Sequence, residues 1–285
     1  MKNNNLLSLS SSGFHVVAYT EFGSEDALGT ILCVHGLTRN GRDFDLLAEA
    51  LCGDFRIACP DVVGRGRSGW LEDKAGYGYP QYLTDMTALV ARLDVTAVDW
   101  IGTSMGGLIG MFMAATPGTP VRRLIVNDIG PFIPKAALQR IARYTGTDPA
   151  FDDVEEVEVY LRAVHAPFGA LSDAEWRHLA EHSIRHTEDG RLRLHYDPGI
   201  AQAFRAGPIE DIDDLDLWTV WDNIHCPVLV LRGEASDLLL PETAAEMATR
   251  GPKARVVEIE GCGHAPMLMD PDQIAIIRDW LRSTE

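Results

Sequence analysis

The chain has 285 residues, 46% of them hydrophobic, which is enough to bury a full core with room for one inserted element. Its formal charge of -17, from 25 basic against 42 acidic side chains, repels phosphate backbones and anionic lipid head groups, so neither nucleic acid nor a membrane is expected as a partner. The amino-terminal MKNNNLLSLSSSG lacks the apolar run of a signal peptide, and the five cysteines, with Cys33, Cys59 and Cys226 in or beside apolar runs, do not read as a disulfide framework; a reducing cytoplasm is the expected setting.

Residues 14–19 alternate like an early antiparallel strand, and the apolar runs at 30–34, 55–59, 98–101, 123–126, 228–231 and 255–259 read as buried strands. Helical periods separate most of them. Phe44, Leu47, Ala48 and Leu51 fall on one face, as do Leu83, Met86, Leu89, Val90 and Leu93. This alternation predicts an α/β fold with a mostly parallel sheet covered on both faces. Pro241 marks a first helical turn with Gly251 beyond its end, and Asp270, Pro271 and Gln273 form an N-cap, N1 and N3 set.

The rhythm stops at 131–225, a stretch of 95 residues with 9 basic and 18 acidic side chains. Ser172 and Glu175 are spaced as a capping box, and the stretch is too long for a structureless loop. It is expected to be a helical cap domain over the carboxyl end of the sheet, where ligands of open α/β sheets bind, with 1–130 and 226–285 forming the core domain. Specificity is expected to reside in the cap, whose aromatic residues include Phe168, Trp176, Phe204 and Trp221.

Gly102-Thr103-Ser104-Met105-Gly106 follows the apolar run 98–101 and opens a stretch of helix formers. A serine on so tight a strand-to-helix turn projects its hydroxyl outward, and flanking glycines keep side chains out of the way. Serine needs a base to attack at neutral pH. His264 is the best placed of nine histidines, because it follows the last strand in the small-residue loop Gly261-Cys262-Gly263-His264-Ala265-Pro266. The base in turn needs a carboxylate. Asp237, after the run 228–231, is favoured by the chain order Ser, Asp, His, with Asp128 and Glu234 as rivals; Asp128 is read instead as a hydrogen-bonding anchor at the junction with the cap. The backbone amides of Leu37 and Met105 are the expected oxyanion donors, with His35 bracing that loop.

Gly64-Arg65-Gly66-Arg67-Ser68-Gly69 matches the dinucleotide fingerprint G-x-G-x-x-G, but it follows a later strand than the first and no helix can begin behind it, so no dinucleotide is expected. No Cys-x-x-Cys pair and no zinc-type histidine pairing is read, and a metal centre is not expected.

Together, HGL at 35–37, DVVGRGRSG at 61–69, GTSMGG at 102–107, LRGEASD at 231–237 and GHAP at 263–266 resemble the α/β-hydrolase superfamily across nearly the whole chain. The resemblance implies an eight-stranded sheet, the triad Ser104, Asp237 and His264, oxyanion amides at Leu37 and Met105, and no cofactor. Dehalogenases and epoxide hydrolases of the superfamily carry aspartate where this chain has Ser104, and proline iminopeptidases usually carry tryptophan at Met105. Carbon-carbon bond hydrolases usually show tryptophan at Ala265, and cofactor-free haloperoxidases an aromatic residue at Leu37. What remains is a serine carboxylesterase acting on small-molecule esters, short hydroxyacid esters or oligoesters among them. A carbon-carbon bond hydrolase or lactonase, and a hydrolase-like ligand receptor, are the alternatives.

Overall fold

The computed structural model describes residues 1–204 and 207–283. The chain opens with β1 (Lys2–Ser10), β2 (Gly13–Phe22), β3 (Thr30–Val34), α1 (Asp45–Leu51), β4 (Arg56–Pro60), α2 (Tyr79–Arg92), β5 (Val98–Thr103), α3 (Met105–Ala115) and β6 (Val121–Asn127). The stretch that interrupts the rhythm contains β7 (Phe132–Ile133), α4 (Lys135–Tyr144), β8 (Ala150–Phe151), α5 (Val154–Val164), α6 (Asp173–His182), β9 (Ile184–His186), β10 (Leu192–Leu194), β11 (Leu215–Asp216) and α7 (Trp218–Asp222). The rhythm then resumes with β12 (Val228–Gly233), α8 (Pro241–Met247), β13 (Arg255–Ile259) and α9 (Pro271–Ser283).

Among the described residues the main sheet has eight strands in the order β1-β2-β4-β3-β5-β6-β12-β13. From β4 to β13 every pairing is parallel, while β1 and β2 form an antiparallel edge joined to β4. Strands buried on both faces need no polar alternation, and apart from Asp99 the first four residues of β5 are apolar. Its Trp100 enters the core under α2 and α3, whereas its neighbour Ile101 enters the opposite core under α1 and α9.

The edge strand β1 has no counterpart among the apolar runs, because only Leu6 and Ser8 turn inward while Leu7 and Leu9 face solvent. The stretch expected to be helical also contains a three-stranded sheet, β8-β10-β9, and the pair β7-β11. Strands of two or three residues are too short for an alternation to register. Ser172 and Glu175 do form the capping box at the start of α6.

β5, which ends at the proposed nucleophile, is pinned by Asp99. This buried carboxylate accepts from Arg123 Nε at 2.8 Å and Nη2 at 2.6 Å and from Arg122 Nη2 at 2.8 Å. Burial alone would raise its pKa, but the forks from Arg123 and Arg122 outweigh that and hold it below the ordinary carboxylate value. A depressed folded-state pKa contributes stability that is complete above the unfolded value and is lost as the pH falls through the folded one. Asp99→Asn, which leaves the Arg123 guanidinium facing a neutral partner, is expected to cost about 3–5 kcal/mol in urea denaturation and to flatten the stability profile at acidic pH.

Candidate active site

The turn from β5 into α3 is forced by close packing. A Cβ on Gly106 would lie 1.9 Å from the carbonyl oxygen of Val34, and one on Gly102 would lie 2.3 Å from that of Gly106. Strand and helix therefore approach as only glycines allow, and Ser104 between them takes φ 52°, ψ -116°, a region a non-glycine residue enters only when its surroundings over-determine it. Its amide donates to the Asn127 carbonyl at 3.0 Å, and its own carbonyl accepts from Gly107 and Leu108 in the first turn of α3.

His264 comes from the loop after β13. That loop is tied to the rest of the protein by backbone and side-chain bonds: Gly263 N donates to Pro167 O at 2.7 Å, Ala235 N donates to Cys262 O at 2.8 Å, and Asn127 Nδ2 donates to Pro266 O at 2.7 Å. The imidazole lies between two partners, with Nδ1 2.8 Å from Asp128 Oδ2 and Nε2 2.9 Å from Ser104 Oγ. A carboxylate only accepts, so Nδ1 carries the proton and Nε2 presents its lone pair to the serine hydroxyl.

The carboxylate on His264 is therefore Asp128, not the expected Asp237. Asp128 is fully buried at φ 56°, and it accepts from Gly233 N at 2.7 Å through Oδ1 and from Ser236 Oγ at 2.6 Å through Oδ2. It is an anchor, as its sequence reading had it, but to the loop after β12 rather than to the cap junction. Asp237 is half exposed and accepts from Arg140 of α4 through both oxygens, each at 2.8 Å. Glu234 accepts instead from Gly261 N at 3.1 Å, and Arg232 pairs with Glu258. Sheet order explains the outcome: β6 adjoins β5 directly, whereas β12 lies one strand farther out, so the residue that leaves β6 emerges beside the serine.

Leu37 and Met105 both line the cavity at Ser104, and a Cβ on Gly36 would stand 3.7 Å from that of Ser104. The Leu37 loop is held from behind. His35 Nδ1 bonds the Gly36 carbonyl at 2.7 Å and its Nε2 accepts from Val62 N at 2.9 Å, while burial lowers its pKa to about 3 and keeps it neutral. This is the bracing role expected of it. Arg65, from the glycine-rich decoy, is fully buried and donates to Leu37 O at 2.9 Å, Val63 O at 2.8 Å and Tyr82 Oη at 3.0 Å.

Above the serine lies a cavity of about 780 Å³. Tyr79, Tyr82 and Leu108 line it from the core, and Leu138, Ile141, Tyr144, His165 and Phe168 from the inserted stretch. Of the aromatic residues named from sequence, Phe168 and Phe204 reach the cavity, whereas Trp176 and Trp221 pack inside the protein. His165 stacks on Phe168 with ring centroids 4.4 Å apart, and burial, helped by the charges of Arg39 and His264, lowers its pKa to about 3. It places a neutral polar group beside the apolar side chains of Ile141 and Phe168, and nothing in its sequence neighbourhood signalled it.

Residues 31–276 match the alpha/beta hydrolase family, and the chain belongs to it and is a hydrolase. Among its relatives, the 3-hydroxybutyrate-oligomer hydrolase of Cupriavidus necator is 48% identical over 273 residues, covering 94% of this chain and 93% of that one. Of solved structures, one from Rickettsia typhi is 33% identical with a TM-score of 0.92 and 99% of both chains covered. An alpha/beta hydrolase from Novosphingobium aromaticivorans is 34% identical with a TM-score of 0.85 and 98% of both chains covered.

A single lysine nitrogen cannot stand at both the Nε and Nη1 positions from which Arg65 donates to its three oxygen atoms. Arg65→Lys is expected to leave at least one buried carbonyl unsatisfied, to cost about 2 kcal/mol in urea denaturation, and to lower kcat through the loosened Leu37 loop.

Proposed function

We propose that this chain hydrolyses carboxylic esters of small molecules, 3-hydroxyacid oligomers among them, through an acyl-enzyme on Ser104. The observation that carries the reading is the continuous relay Ser104 Oγ, His264 Nε2, His264 Nδ1, Asp128 Oδ2 at the floor of a largely apolar cavity. Ser104 attacks the ester carbonyl as its proton passes to His264 Nε2, and the imidazolium so formed faces the Asp128 carboxylate. The tetrahedral oxyanion is held by the amides of Leu37 and Met105, and the amino terminus of α3 favours the same negative charge. His264 then hands its proton to the departing alkoxide, and a water activated by the same nitrogen releases the acid.

The identity to an enzyme named for 3-hydroxybutyrate oligomers supports the oligoester class, and a cavity of about 780 Å³ falls in the range of small-molecule sites. In this reading 131–225 acts as the cap, because its α4 and the segment around Phe168 supply the wall opposite β5 and α3. The five cysteines stand as free thiols, which supports a reducing, cytoplasmic setting.

Ser104→Ala is expected to abolish turnover of a p-nitrophenyl ester and labelling by a fluorophosphonate probe. Asp128→Asn, which presents Nδ1 with an amide and permits the wrong imidazole tautomer, is expected to lower kcat by about 10⁴-fold, whereas Asp237→Asn should stay within about tenfold of the parent. Full loss in the Asp237 variant with activity retained in the Asp128 variant would reverse the assignment. A clear preference for vinylogous diketones over 3-hydroxybutyrate dimers and trimers would replace ester cleavage by carbon-carbon cleavage.

A further inference from the structure

His178 and His182 stand four residues apart near the end of α6, so one helix face presents both imidazoles, with ring centroids 4.5 Å apart. Asp45, the first residue of α1, faces them from the core. The ligand-capable atoms of the three lie within 4.8 Å of one another, and His178 Nε2 is 3.5 Å from Asp45 Oδ2. We propose that Asp45, His178 and His182 form a binding site for a divalent cation of the zinc class that clamps the inserted stretch onto the core.

Zinc bonds of about 2.0–2.2 Å to nitrogen and oxygen in a tetrahedron place ligand atoms about 3.3–3.6 Å apart. The Asp45–His178 edge already has that length. The longest edge needs to close by at most about 1.5 Å, which imidazole rotation supplies. Two imidazoles and one carboxylate suit zinc, and three protein ligands leave a fourth corner for water. Both histidines are only partly buried, so a hydrated ion can reach them.

Two contacts stand in the way, and each leaves room. Arg42 Nε lies 2.9 Å from Asp45 Oδ1 and 2.8 Å from Oδ2, and its Nη2 also bonds Oδ2. A carboxylate has about four lone-pair sites, so it can keep this guanidinium as an outer partner while one oxygen takes the metal. His178 Nε2, 3.0 Å from the Arg42 carbonyl, must exchange that contact for the cation.

The position gives the site its consequence. The same junction is spanned by Arg39 Nη1 to Ser183 Oγ at 2.8 Å and by Asn40 Nδ2 to His182 O at 2.8 Å. Arg39 and Asn40 directly continue the loop that carries Leu37. A bound cation replaces the contact of His178 with Arg42 by a three-ligand tie between α6 and the start of α1, beside these two bonds and without touching the Ser104 relay. The sequence holds the signal in its H-x-x-x-H spacing at 178 and 182, which the reading of a solvated acidic segment passed over because the third ligand lies far earlier in the chain.

The test uses tag-free full-length protein stripped with a chelator. Zinc is expected to bind one per chain by calorimetry, and to raise Tm by about 5 °C at a concentration about a hundredfold above Kd. Cobalt in its place should develop the visible absorption of a tetrahedral nitrogen and oxygen set. His178→Gln and His182→Gln should each weaken zinc binding by at least about tenfold while leaving metal-free ester hydrolysis unchanged. No saturable zinc binding by the parent, or equal affinity in the parent and both glutamine variants, would overturn the site.

Discussion

The close approach of β5, α3 and β3 around Ser104 is the constraint on which the rest of the site depends. Gly106 lies against the Val34 carbonyl with no room for a methyl group, and Val34 is followed at once by the loop that carries Gly36 and Leu37. One packing contact therefore sets the serine's strained backbone and its distance from the Leu37 amide together. The strain is borne by a sheet whose central strands are buried on both faces, and by hydrogen bonds from Ser104 and Asp128 to neighbouring strands. A looser turn would not hold the proposed oxyanion site in advance of the reaction.

This dependence explains which parts of the site were legible. Ser104 and Met105 belong to one local motif, and the motif's glycines are there for steric reasons that a sequence displays openly. His264 was legible by elimination, since a small-residue loop after the final strand leaves an imidazole free to reach inward. The carboxylate was not. Ser104, Asp128, His264 and Ser104, Asp237, His264 share the same chain order, so order could not separate them. What separates them is that β6 is the spatial neighbour of β5, a fact of sheet topology rather than of spacing.

The fold divides in the same way. The parallel strands inside the sheet, β3, β4, β5, β6 and β12, are buried over most of their length and announce themselves as apolar runs, whereas β13 at the edge exposes Arg255 and Glu258, and the amphipathic helices α1 and α2 show their inward stripe. The edge strand β1 offers only two inward positions in an asparagine-rich segment, and its pairing with β2 becomes visible only when the two lie side by side. The short strands of the inserted stretch owe their form to partners rather than to their own sequence: Arg193 of β10 donates to the Asp148 carbonyl, and Arg191 just before it donates to Ala150 and Phe151. Contacts of that kind join residues too far apart in sequence for a local pattern to record.

Charged side chains as well as apolar ones line the cavity, Asp211, Asp213 and Asp214 among them. His35 and His165 are both held neutral by burial. Arg39 and Arg140 line the cavity, but each is gripped in a fork by an aspartate, Asp43 and Asp237 respectively. Asp237 thus keeps a place at the site even though it does not touch His264: it neutralises the guanidinium of α4 where the inserted stretch meets the loop after β12. The pair is exposed on both sides and contributes only about 0–1 kcal/mol to stability. In the proposed mechanism its effect on the cavity is larger, because an unpaired cation there would compete with the Leu37 and Met105 amides for the developing negative charge. With both arginines occupied, the proposed oxyanion is left to groups fixed by the backbone, whose positions the packing around Ser104 has already determined.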